Sequence, residues 1–144
     1  MTATIEVARQ AAAVVQAYWE RMQARDWAGV HELLDDEVTV EWPASGERFR
    51  GADAVVDVNR LYPEGWSIRV VGVIADREAT PQAARVVSEV EVVQQGAGVF
   101  AATSLWEVRE GRIAFGREYW VVCGGDEPPQ WRSTLSERYD GRPE

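Results

Sequence analysis

What most limits the folds open to this chain is a block of four long alternating segments, residues 66–76, 83–95, 98–109 and 112–122. Each places β-branched or aromatic residues at every second position, as a strand with one buried face requires. Gly96-Ala97-Gly98 and Glu110-Gly111 leave room only for tight hairpins, and Thr80-Pro81 breaks the first pair. An antiparallel meander follows. Strands of about ten residues cannot stay flat, so the sheet is expected to curl.

The preceding residues change period. In residues 5–25, Ile5, Ala8, Ala12, Val15, Trp19 and Met22 recur at steps of three and four, which predicts a helix with one apolar face. Asp26 can cap a short second helix that turns Val30, Leu33 and Leu34 inward. Val38, Val40 and Trp42 then alternate with Thr39 and Glu41 as a strand. Pro43 to Gly46 form a turn, and residues 52–62 read as a third helix stopped by Pro63 and Gly65. Helices followed by strands give an α+β fold. The expected form is helices packed in the concave face of a strongly curved antiparallel sheet, a cone-shaped α+β barrel. Residues 1–125 make one domain, and the polar segment 126–144 is a tail on or off its surface.

With 144 residues, 46% of them hydrophobic, the chain can build a core without staples. Its net charge is −9, and all 15 basic residues are arginine. Such a surface repels phosphate backbones, so neither nucleic acid nor a membrane is an expected partner. The N-terminus lacks the basic and apolar regions of a secretory signal, and no apolar run approaches about 18 residues. The expected location is the cytoplasm. Cys123 is the single cysteine and His31 the single histidine, so no metal-ligand set is expected.

Three stretches carry a family resemblance: AYWERMQARDWAGVHELLDDEVTVEWP at 17–43, SGERFRG at 45–51 and SLWEVREGRIAFGREYW at 104–120. With the order of elements, they resemble the nuclear transport factor 2-like superfamily, closest to its SnoaL-like and ketosteroid-isomerase-like members. In the isomerase-like pattern, a helix-one tyrosine donates to the developing enolate, and Tyr18 stands at the matching place. The strand-one carboxylate of that pattern is Trp42 here, and the acid on the next-to-last strand is Ser104. A tryptophan cannot take a proton from carbon, so the standard isomerase mechanism does not transfer. SnoaL-like cyclases place an acid/base carboxylate on the last strand. Parity sets Gly116, Glu118 and Trp120 on one face of that strand, and the resemblance turns this face toward the pocket.

A carboxyl among indoles would titrate near neutrality, which suits acid–base work. The expected catalytic pair is therefore Glu118 and Tyr18. Expected ligand-binding residues are Trp19, Trp42, Trp106, Trp120, Ser88, Ser104, Val58, Asn59 and Tyr62. Plainer readings stand beside these: Glu118 exposed on the sheet's back, the indoles as core, Asn59 bonded to backbone. Four buried indoles would need four N–H partners, which favours a partly open pocket. His31 reads as solvent-facing, Glu89 and Glu91 as acids on the solvated convex face or a dimer rim, and Glu47, Arg48 and Arg50 as a solvated polar knot.

Two functions compete. One is a cofactor-free cyclase, isomerase or dehydratase acting on a small apolar, oxygenated molecule. The other is a non-catalytic binding module with the same pocket. As the resemblance implies, a homodimer would form through the convex sheet face, with Val87, Leu105, Phe115 and Tyr119 as contacts, and such a dimer could also serve as an interaction protein.

Overall fold

The computed structural model describes residues 2–144, with side chains from residue 4 onward. Helix α1 (Thr2–Gln23) leads into α2 (Trp27–Glu32), β1 (Leu34–Trp42), β2 (Glu47–Arg50) and α3 (Ala52–Arg60). Strands β3 (Trp66–Ala75), β4 (Ala84–Gln94), β5 (Gly98–Arg109) and β6 (Arg112–Val122) follow. The α+β expectation holds, and the four long strands fall within one residue of their predicted bounds. Asp26 caps α2, its side chain accepting from the Gly29 amide at 3.0 Å. A side chain at position 29 would collide with that carboxylate. The β5–β6 turn puts Glu110 at φ 50° and Gly111 at φ 80°, the left-handed pair that a two-residue hairpin demands.

Two features correct the sequence reading. The sheet has the order β2-β1-β6-β5-β4-β3 and is mixed rather than antiparallel, because β1 pairs with β6 in parallel. It is also not a closed barrel, since β2 and β3 remain as free edges. Alternation alone cannot specify either point, because it reports which face is buried and not which strand lies alongside. The polar knot at 47–50 is itself a strand, paired with β1. Its Arg48 joins Arg117 in donating to Glu41.

Ala11, Val15, Tyr18, Trp19 and Met22 of α1 are buried against the sheet, together with Val30, Val38, Val40, Val55, Val86, Val90 and Ile113. Ile5, expected on the inner stripe, is 57% exposed, because the buried face begins only at the middle of α1.

Val87, Leu105 and Tyr119 are exposed on the opposite face of the sheet and Phe115 is half-buried. Glu89 is exposed there, whereas Glu91 is buried. The tail explains the difference. Arg142 makes two hydrogen bonds to Glu91, at 2.8 and 3.0 Å, and Arg69 donates to both Glu91 and the Pro143 carbonyl. These bonds, chiefly those from Arg142, outweigh the cost of burial and hold the Glu91 carboxyl down at about 2. The tail's end is therefore fastened to the sheet by an acid that the sequence reading left in solvent. Among the described residues no helix is long and apolar enough to cross a membrane.

Candidate functional site

A cavity of about 380 Å³ opens between α1, α3 and the inner face of the sheet. Six aromatic residues line it: Trp19, Trp42, Trp66, Trp120, Tyr62 and Phe100. Asn59 and Gln94 also face it, as do Ser45 of the β1–β2 turn and Glu47 at the start of β2. Of the expected ligand-binding residues, Trp19, Trp42, Trp120, Asn59 and Tyr62 are therefore on the wall. Trp66, Phe100 and Gln94 were missed. Trp66 is the first residue of β3 and Gln94 the last of β4, where turn residues obscure the alternation, and Phe100 is the third residue of β5.

Glu118 points inward, as the parity of β6 requires. It is 3% exposed and lies off the cavity wall, behind Trp42. The Trp42 indole donates to its Oε1 at 3.2 Å, and the Ser104 hydroxyl to its Oε2 at 3.3 Å. Ser104 faces Glu118 directly across β5–β6, so the hydroxyl is delivered by strand register. Burial pushes the carboxyl up to about 7, against a smaller downward pull from the Trp42 and Ser104 hydrogen bonds.

Tyr18 is fully buried, in edge contact with Trp19 and Trp106 at centroid distances of 5.2 and 5.1 Å. Its hydroxyl has no hydrogen-bond partner among the described residues. Burial, and then the charge of Glu118, raise its ionisation well above the usual tyrosine range, so it remains a donor. Asn59 acts on it in the opposite sense without reaching bonding geometry, and its amide donates to the Val55 carbonyl at 2.8 Å.

Four expected wall residues are elsewhere. Ser88 sits beneath the indoles and accepts from both Trp19 Nε1 at 3.1 Å and Trp106 Nε1 at 2.8 Å. One hydroxyl thus meets two of the four N–H demands. Trp106 is core: its ring occupies the space left by Gly116, where a Cβ would come within 2.4 Å. Ser104 serves Glu118 rather than the cavity, and Val58 is half-buried off the wall. Strand parity predicts an inward direction but not depth, and Ser88, Ser104 and Trp106 point inward yet lie fully buried beneath other side chains. His31 is partly exposed and bonds Asp53 at 2.9 Å, apart from the cavity.

The profile of the SnoaL-like domain family matches residues 15–115. The chain belongs to that family. A solved structure of a proposed ketosteroid isomerase from Kribbella flavida DSM 17836 is similar to this SnoaL-like chain with a TM-score of 0.80 and 26% identity, over 92% of this chain and 91% of that one. A proposed polyketide cyclase from Xanthomonas campestris pv. campestris superposes at a TM-score of 0.62 with 18% identity, over 78% and 91% of the two chains. An epoxide hydrolase of the LEH-like type from M. tuberculosis does so at 0.63 and 21%, over 79% and 84%. The last two show a shared fold. No curated protein matches the chain.

Proposed function

We propose that this SnoaL-like protein is a cofactor-independent acid–base enzyme that moves a proton on an apolar, oxygenated substrate, as an isomerase, cyclase or dehydratase does. The observation that carries the reading is Glu118: a buried carboxyl ionising at about 7, beside an unpaired phenol and behind an apolar cavity. Such a group gives up and takes back a proton with little penalty in either direction near neutral pH. In the proposed step, ionised Glu118 removes a proton from the carbon next to a carbonyl. The electron pair moves to the carbonyl oxygen, where the Tyr18 hydroxyl donates to it. Protonated Glu118 then returns the proton, to the same carbon or to a conjugated one. A donor held dry and preorganised stabilises the developing oxyanion more than water does. Glu118 and Tyr18 both lie off the cavity wall and Trp42 is at once wall and partner of Glu118, so the reading requires this indole to swing aside for substrate to reach them. The similarity to a proposed ketosteroid isomerase agrees with this chemistry.

The position of Glu118 off the wall favours a second reading, a binding module that needs nothing from the acid. Deuterium exchange separates the two. Cyclic ketones, 1-tetralone and 2-decalone among them, are incubated with protein in deuterated buffer, and loss of the proton next to the carbonyl is followed by NMR. Exchange should exceed the buffer rate, rise as pH passes through about 7, and fall about 100-fold or more in Glu118→Gln with ketone binding retained. Bound ketone with no exchange above buffer establishes the binding module instead, and protein-dependent exchange indifferent to Glu118→Gln removes Glu118 from the role of base.

A further inference from the structure

Among the described residues, four buried side-chain polar atoms lack a hydrogen-bond partner: Tyr18 Oη, Trp66 Nε1, Gln94 Oε1 and Trp120 Nε1. Buried polar groups are nearly always satisfied, and an orphan costs about 1–3 kcal/mol. Three of these four atoms belong to residues on the cavity wall. An orphan set just behind a cavity wall is a donor or acceptor that the polar group of a ligand can satisfy.

Trp66 and Gln94 face each other directly across β3–β4. Both are at least nine-tenths buried. The Gln94 amide nitrogen donates to the Pro63 and Glu64 carbonyls at 3.1 and 3.2 Å. That fixes the orientation of the amide and makes its oxygen the unpaired atom. Trp66 is held just as firmly. The Arg25 guanidinium stacks 3.3 Å from its ring centroid, donates to its carbonyl at 2.7 Å and is itself gripped by Glu64. One N–H donor and one acceptor are thus set in advance on neighbouring strands. A hydroxyl group offers the complementary acceptor and donor.

This pair is far from the acid. Gln94 is opposite Gly98 on β5, whereas Trp120 is opposite Ala102 and Glu118 opposite Ser104. Six residues along a strand, from 98 to 104, span about 20 Å. The intervening wall is apolar, with Ile68, Val92 and Phe100.

We propose that Trp66 and Gln94 form a second polar subsite, which binds a hydroxyl group at the end of an elongated, otherwise apolar ligand remote from Glu118. The proposal rests on reading the cavity as the substrate pocket, and it names the functional group the substrate carries away from its reacting end.

Equilibrium dialysis with three matched probes tests it: biphenyl, 4-phenylphenol and 4-methoxybiphenyl. Two hydrogen bonds predict about tenfold tighter binding of 4-phenylphenol than of biphenyl. The methyl ether, which cannot donate to Gln94, should fall between them. Trp66→Phe keeps the ring under Arg25 and removes only the N–H. It should cut the ratio of 4-phenylphenol to biphenyl affinity about threefold or more, and a general loss of folding or of apolar wall would weaken both probes alike. Equal affinity for biphenyl and 4-phenylphenol overturns the subsite while leaving the pocket intact. A hydroxyl preference that survives Trp66→Phe and disappears in Trp120→Phe overturns it too, by locating the hydroxyl at the other end. If no probe binds at all, the pocket reading falls with it.

Discussion

Glu118→Gln should make the protein more stable as it removes the acid, and the gain should depend on pH in a calculable way. The carboxyl ionises at about 7 in the folded chain against 4.5 as its ordinary value. At 1.36 kcal/mol for each pH unit of that gap of about 2.5, the folded state gives up about 3 kcal/mol when the group is charged. The sign is that of a raised carboxyl. Between pH 4.5 and 7 the folded chain holds a proton that the unfolded chain has released, so stability falls as pH rises through this window and levels off above it. Glutamine is neutral throughout and can still accept from Trp42 or Ser104. The stability difference between variant and parent should therefore grow by about 3 kcal/mol in favour of the variant from pH 4.5 to pH 8. For a domain of this size that corresponds to roughly 6–12 °C in Tm. Urea unfolding at several pH values, read by the fluorescence of the seven tryptophans, measures the difference directly. All other titrating groups, Glu91 included, are common to both proteins and cancel. A difference that stays constant across this range would refute the argument, because it would mean that Glu118 is not desolvated.

Two substitutions test the supports of the site. Ser88→Ala strands the indole N–H groups of Trp19 and Trp106 in the core, at about 1–3 kcal/mol each, so urea unfolding should show a loss of at least about 2 kcal/mol; a loss below about 1 kcal/mol would show that the hydroxyl is dispensable. Gly116→Ala drives a methyl group into the Trp106 ring, and overpacking of this kind costs about 1–3 kcal/mol, with a changed near-ultraviolet circular dichroism spectrum as Trp106 moves.

The direction of Glu118 was legible from the sequence in two steps: strand parity, a local property, put Gly116, Glu118 and Trp120 on one face, and the family resemblance turned that face toward the pocket. The bounds of the long strands were legible locally too, since glycine and proline punctuate them. Depth was not. Ser88, Ser104 and Trp106 point inward as expected, yet whether an inward residue touches a ligand or lies beneath others depends on which large side chains cover it. The parallel β1–β6 pairing and the burial of Glu91 under Arg142 were invisible for a related reason. Each joins segments far apart in the chain, and nothing in either segment's own pattern names its partner.

That β1–β6 pairing also governs when the chain can become a finished protein. The Trp42–Glu118 bond spans 76 positions, and β1 has no place inside the sheet until β6 lies beside it. During synthesis the helices, β1 and the β3–β4 hairpin leave the ribosome with their seam open, and only the final strand closes it. Late closure of this sort makes for slow folding, and truncation ahead of β6 forfeits the acid and its setting together.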